Sequence, residues 1–304
     1  MGCACVGWFA GLSWIRFSAA WRILSWVFAS MAVSILLYWQ QIASLLDWSL
    51  RAVLGRTQIY PAAGMVFTGA FILFRLREIW ASLNCEVGFR SKVWVRLVGL
   101  LIVLAPLLIY LQQGLYVFKD ADISAIALVA VWFGIFVAIN PLTSKSLMPY
   151  VILYAASTIA PRLIYSLAGD FLADFTSVAV GFVAKLLGIQ ILQVGRSIEV
   201  LSFGGDRLRL TITPDCSSIS SVTVFLLLCG LMHLDLRKRF SITILMALFG
   251  VVSLMVLNVL RIVVLLWIGY VGGEWSLWHV HSWLGYAIFI GFYALAARIY
   301  IRSR

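Results

Sequence analysis

The stretch SITILMALFGVVSLMVLNVLRIVVLLW, residues 241–267, carries a single charge across a length that can span a bilayer. Apolar runs of about 20 residues are the mark of transmembrane helices, because each residue adds about 1.5 Å and the hydrocarbon core is about 30 Å thick. Such runs recur along the chain, placing spans at roughly 23–46, 58–74, 95–112, 123–140, 147–168, 217–234, 241–266 and 281–298. With 63% hydrophobic and only 12% charged residues, and a mean hydropathy of +1.03, the chain holds more apolar surface than a soluble core of its size needs. The expected fold is an all-α polytopic membrane protein of about eight transmembrane helices, with a small extracytoplasmic β segment before the sixth span. Residues 1–146 form an amino-terminal region of about four spans, and 147–304 a second region that includes an outer loop, 169–216.

The net charge of +11 could suggest nucleic acid. The cations instead cluster in short segments between apolar runs, with no basic face or aromatic–basic platform, so no nucleic-acid partner is expected. Sorting the turns by charge puts Arg16, Arg22, Arg75, Arg77, Arg90, Lys92, Lys145, Arg237, Lys238, Arg239, Arg298, Arg302 and Arg304 on one side. Arg51, Arg56, Lys119 and the long 169–216 segment, with most of the acids, fall on the other. Short-loop bias sets orientation, which places both termini in the cytoplasm and 169–216 outside. The amino-terminal MGCACVGWFAGLSWIRFSAAWR has no basic segment before its apolar stretch and reads as cytoplasmic or interfacial, not as a cleavable signal. Gly2 with Cys3 and Cys5 only faintly resembles an acylation signal, since Val6 stands where Ser or Thr is wanted.

In the outer loop, DFLADFTSVAVGFVAKLLG (170–188) has helical spacing and is expected to lie along the membrane surface. IQILQV, RSIEVLSF and DRLRLTIT follow, separated by Gly195 and by Gly204–Gly205. Leu208, Leu210 and Ile212 alternate strictly, so a small antiparallel sheet is expected. It leads to Pro214–Asp215–Cys216 and the sixth span.

Of five cysteines, Cys3, Cys5 and Cys85 fall on the cytoplasmic side and Cys229 inside the sixth span. Cys216 alone lies outside, unpaired in an oxidising compartment, and so is a candidate reactive thiol. It is placed in the first turn of a helix, whose positive end favours thiolate. Asp215, Ser217 and Ser218 make the site polar, and Asp215 would oppose thiolate formation unless it caps the helix and points away. Depth counting then aligns three spans. Cys216 lies about 19 residues (roughly 28 Å) above Asp235, Arg261 about 20 residues (roughly 30 Å) above Ser241, and His281 about 17 residues (roughly 25 Å) above Arg298. A thiol, a guanidinium and an imidazole converge at the outer level.

An arginine inside LMVLNVLRIVVLLW costs several kcal/mol unless paired or facing a cavity. Asn258, three residues earlier on the same helical face, can share its polar pocket. The bland alternative is an arginine snorkelling to headgroups. As one straight helix, 241–272 would run roughly 46 Å, so it must tilt, break or protrude near Arg261. His281 has Gly285 one turn away, leaving room for close approach, and His279 competes with it. His233 reads as interfacial. Arg162 is a second substrate contact or, on balance, a snorkelling residue. No metal site or cofactor is expected.

From residue 147 to the end these pieces resemble, in order, the exosortase/archaeosortase family of membrane cysteine transpeptidases. LGIQILQVGRSIEVL and LRLTITPDCSS are similar to its outer β segment and cysteine, NVLR to its N-x-x-R motif, and HSWLG to its H-x-x-x-G motif. The family usually reads C-S-G, and Ser218 departs from it. The resemblance implies Cys216 as nucleophile, His281 as acid/base and Arg261 as oxyanion stabiliser. It further implies as partners exported proteins with a short carboxy-terminal sorting tail (a motif, one transmembrane helix and a few basic residues), cleaved at the outer face of the plasma membrane through a thioester. An amine, a hydroxyl or water would release the product. Two other classes stand beside it. A transporter would place its ionisable groups nearer mid-membrane, whereas a non-catalytic assembly factor for surface-polymer or protein export would keep the fold without the activity.

Overall fold

The computed structural model describes residues 12–40, 42–43, 45–47, 60–75, 79, 93–113, 121–140, 144–205 and 207–303. Cys3, Cys5, Cys85 and most of the amino-terminal charged turns lie outside them. The described chain divides into two compact units, 1–158 and 159–304.

The first unit contains α1 (Leu12–Leu37), α2 (Tyr60–Phe74), α3 (Val93–Gln113), α4 (Ala121–Ile139) and the start of α5 (Ser144–Leu186). Glycine sets the spacing of α3 and α4, since a Cβ on Gly134 would lie 2.7 Å from the Gly99 carbonyl oxygen. Small residues at such crossings let backbones approach where lipid supplies no hydrophobic drive between helices. Polar ties join α1 to the pair: the Trp132 indole donates to Ser34 Oγ at 2.9 Å and the Tyr38 hydroxyl to the Val103 carbonyl at 2.6 Å.

In the second unit α5 continues unbroken to Leu186. The separate surface helix expected at 170–188 is instead the continuation of the fifth span. Helical periodicity marks which residues share a face and carries no signal for where a helix bends. Gly169, mid-helix, is used for packing, for a Cβ there would meet the Pro214 ring at 3.3 Å. The helix ends where Gly188 takes φ +76°, with Ile189 N–H donating to Ala184 O and Gly188 N–H to Lys185 O. These two bonds satisfy carbonyls that the helix end would otherwise leave open.

Strands β1 (Ile191–Val194), β2 (Ser197–Leu201) and β3 (Arg207–Thr211) then form the expected antiparallel sheet, in order β1-β2-β3. Ile198 pairs with Leu210 and Val200 with Leu208. Ile198, Val200 and Ile212 are buried on Val180 and Ala184 of α5 and on Ile262, Val263 and Leu266 farther along. Gly195, φ +58°, makes the tight β1–β2 turn, a position where a left-handed residue matches the strand twist. Arg196 beside it is held by Asp170 at 2.6 Å and Asp174 at 2.5 Å, which fastens the turn to α5.

Helix α6 (Ile219–Leu236) and α7 (Phe240–Arg302) complete the unit. Of the three outcomes expected near Arg261, a break there is excluded: the helix stays regular through that residue and breaks at Gly273 (φ 74°, ψ −173°). Arms 240–272 and 274–302 fold back on each other. Thr243 bonds the Tyr300 hydroxyl at 2.7 Å, Arg261 meets His281, and Leu277 closes on Gly269. At the foot of the hairpin, the Lys238 ammonium donates to the carbonyls of Tyr300, Ile301 and Ser303. A cation at the last open carbonyls of a helix complements its dipole. By length and composition, four helical segments of the described residues can cross a membrane: Ser144–Leu186, Ile219–Leu236, Phe240–His281 and Trp283–Arg302. Shorter apolar helices lie at Trp21–Leu37, Val93–Ile109 and Ile123–Ile139.

Candidate active site

Strand β3 delivers the chain into a 3-10 turn, Pro214–Cys216, and only then into α6. Cys216 therefore precedes the helix instead of lying in its first turn, and Ser218 between them takes φ 65°, ψ 5°. This left-handed residue redirects the chain from the turn into the helix, whose first bond is Val222 N–H to Ser218 O at 2.9 Å. No side chain caps the helix, so Asp215, which is exposed, does not perform that task. Ser217 is buried and its hydroxyl donates to the Pro214 carbonyl, locking the turn.

The thiol of Cys216 is half-buried and free. Its partner is the Thr213 hydroxyl, 3.6 Å from Sγ, a residue sequence reading passed over because one exposed threonine at a strand end has no periodic signature. The Cys216 carbonyl accepts from Asn258 Nδ2 at 2.6 Å, and Asn258 is 2% exposed. One turn on, Arg261 Nη2 donates to the His281 carbonyl at 3.2 Å. Gly285 explains how the guanidinium fits: a Cβ there would stand 3.0 Å from Arg261 Cζ and Nε. Phe289 lies below, its ring centre 5.9 Å from Cζ. The NVLR and HSWLG segments thus interlock, and Asn258 ties them to the cysteine turn.

Two polar atoms in this cluster, Arg261 Nε and His281 Nδ1, are buried without a hydrogen-bond partner. Buried polar groups are nearly always satisfied, so these two nitrogens are open to a hydrogen bond that the described protein atoms do not supply. Geometry also separates the two histidines. His279 is exposed and stacked on Trp275, with centroids 5.0 Å apart, whereas His281 is half-buried beside Arg261. No hydrogen bond joins the imidazole to Sγ in this state. Arg162 is exposed on α5. His233 bonds Thr243 at 3.0 Å, in the network at the opposite end of the hairpin.

The conformation of Ser218 gives a stability prediction. A non-glycine residue held in the left-handed region costs about 1–3 kcal/mol. Glycine takes it freely but loses more chain entropy on folding, about 0.5–1 kcal/mol. Ser218→Gly should therefore stabilise the protein by about 1 kcal/mol and raise its melting temperature in a fixed detergent by a few degrees. A lower melting temperature would mean that Ser218 sits there without strain.

A membrane helical bundle with a thiol, an amide, a guanidinium and an imidazole gathered beside a small sheet is the class of molecule that the geometry defines. The family model described as transmembrane exosortase (Exosortase_EpsH) matches residues 56–297, and the chain belongs to that family. It is a multi-pass membrane protein. No curated protein and no solved structure matches it.

Proposed function

We propose that this protein is a membrane cysteine peptidase or transpeptidase that removes the carboxy-terminal sorting tail of exported proteins at the outer face of the plasma membrane. The observation that carries this reading is the chain of contacts from Cys216 through Asn258 to Arg261 and His281, ending on two unsatisfied buried nitrogens. Family membership supports a transpeptidase-type role.

In this reading the imidazole of His281 takes the Cys216 proton after the thiol leaves Thr213. The sulfur then attacks the scissile carbonyl carbon. Negative charge gathers on the carbonyl oxygen, where Arg261 Nε can donate. Collapse breaks the C–N bond, the departing amine takes the proton from the imidazolium, and the acyl part stays on sulfur as a thioester. An amine, a hydroxyl or water attacks next and restores the thiol. Asn258 holds the cysteine turn, and Ser217 and Asp215 shape it; Arg162, exposed on α5, is read as snorkelling to headgroups.

Comparing the carboxy-terminal peptides of exported proteins by mass spectrometry, with and without this protein, tests the reading. Tails should be lost only when it is present, and identical peptide sets would sink it. The orientation has both termini in the cytoplasm and the sheet outside, with the exposed Trp275, Trp278 and Trp283 suited to the interface. In a background without native cysteines, an impermeant thiol reagent should label a cysteine placed at Glu199 in intact cells and spare one at Lys238. The reverse pattern would turn the molecule over.

A further inference from the structure

The sheet has an open edge that ends at the thiol. In an antiparallel ladder, successive residues turn their backbone groups alternately toward the partner strand and away from it. Ile212 N–H donates to Arg196 O at 2.9 Å, so Ile212, Leu210 and Leu208 turn theirs toward β2. Arg207, Arg209 and Thr211 therefore turn theirs outward, and among the described residues no backbone bond from another element meets them. All three residues are exposed. On β1, Gln193 pairs with Ile198 and shares its face, and it bonds both the carbonyl and the hydroxyl of Ser177, so α5 lies under that face of the sheet and leaves the β3 edge clear.

An unpaired row of N–H and C=O groups is a template for another strand. Here it also has a direction, because β3 runs straight into the turn that carries Cys216. A peptide lying along Arg207–Thr211 would present its next residues to Sγ and to the orphaned nitrogens of Arg261 and His281.

We propose that the substrate tail binds by adding a fourth strand to the open edge of β3, parallel to it. This rests on the peptidase reading above and specifies how that substrate is held. The parallel sense follows from topology. A tail that leaves an exported domain and ends in a membrane helix runs toward the membrane, and β3 runs toward Cys216 and the membrane helix α6. Residues before the scissile bond then lie beside Arg207, Arg209 and Thr211, and the acyl carbonyl reaches the sulfur. Recognition has a two-residue period: the backbone supplies affinity, and alternate side chains of the tail face the apolar side or the Arg207–Arg209 side.

Proline at position 209 tests this directly. The Arg209 N–H points outward, so Arg209→Pro deletes a donor of the open edge and leaves the β2–β3 bonds in place. The comparison is with Arg209→Ala, which loses the same side chain, including its contacts to Glu199 and Ser197, and keeps the N–H. With a synthetic peptide copied from a tail that the wild-type protein removes, kcat/KM should fall at least about tenfold further for the proline variant, mainly through KM. Equal values for the two variants would overturn strand addition while cleavage by the wild type upheld the enzyme. If the proline variant melts well below the alanine one, the same peptide N-methylated at one residue at a time decides with wild-type protein. Weakening at alternate positions supports the strand, and a uniform or absent effect overturns it. A wild-type protein that removes no tail would refute the peptidase reading and this proposal together.

Discussion

Purified Cys216→Ala protein, offered a tail peptide in nanodiscs, is expected to cleave none of it and to melt close to wild type. The proposed reaction passes entirely through the sulfur, because the thioester is the only route by which the acyl part can wait for an acceptor. The fold, by contrast, asks little of that atom. Cys216 is half-buried at the margin of the core under the sheet, and its Sγ meets the Thr213 hydroxyl. The bond that fastens this turn to the rest of the site goes from Asn258 to the backbone carbonyl of residue 216 and survives the substitution. Cys229, buried to 2% exposure in α6, gives the converse control: Cys229→Ala should lower stability while tail cleavage persists. Substantial cleavage by Cys216→Ala in a clean preparation would end the thioester mechanism.

The second large effect belongs to Arg261. An arginine snorkelling to headgroups needs only a long stem with a cation at its tip, and lysine would replace it with little loss. The geometry at this position asks for more. The guanidinium lies flat against Gly285, uses Nη2 to hold the His281 carbonyl, and leaves Nε buried and unspent. An ammonium cannot fill that planar slot and serve both directions. Loss of one donor to a developing oxyanion typically costs about a hundred- to a thousandfold in turnover. Arg261→Lys retains the charge, so cleavage should fall by at least about tenfold while melting shows a folded protein. Near-wild-type cleavage would return Arg261 to the snorkelling class.

Part of the candidate site's geometry was legible before the structure because a helix has a fixed rise. Counting residues from the basic turns brought Cys216, Arg261 and His281 to one expected level, and helical spacing put Asn258 beside Arg261. Period-two alternation of Leu208, Leu210 and Ile212 announced the sheet. Other features leave no periodic trace. The run from Ser144 to Leu186 reads as a span at 147–168 and a surface helix at 170–188, yet it is one helix, with Gly169 in its middle packed close to Pro214. Gly273, where the chain reverses, is one of two adjacent glycines among aromatics, and either could make a turn. From residue type alone, Ser218 reads only as part of a polar site. Its left-handed backbone surfaced only as a departure from the glycine of the resembling motif, and that glycine would suit the conformation.

The reversal at Gly273 bears on how the chain enters the membrane. Arg261 and the carbonyl it grips lie on neighbouring arms of one hairpin, a short stretch of synthesis apart. An unpaired arginine in a lone apolar helix resists insertion. With its partner in the arm made next, the residue can enter lipid as half of a paired unit, with the Lys238 clamp closing the hairpin's base once the last residues are made. The contact that seats the guanidinium against the second arm in the finished protein would thus also shield its charge from lipid on the way in.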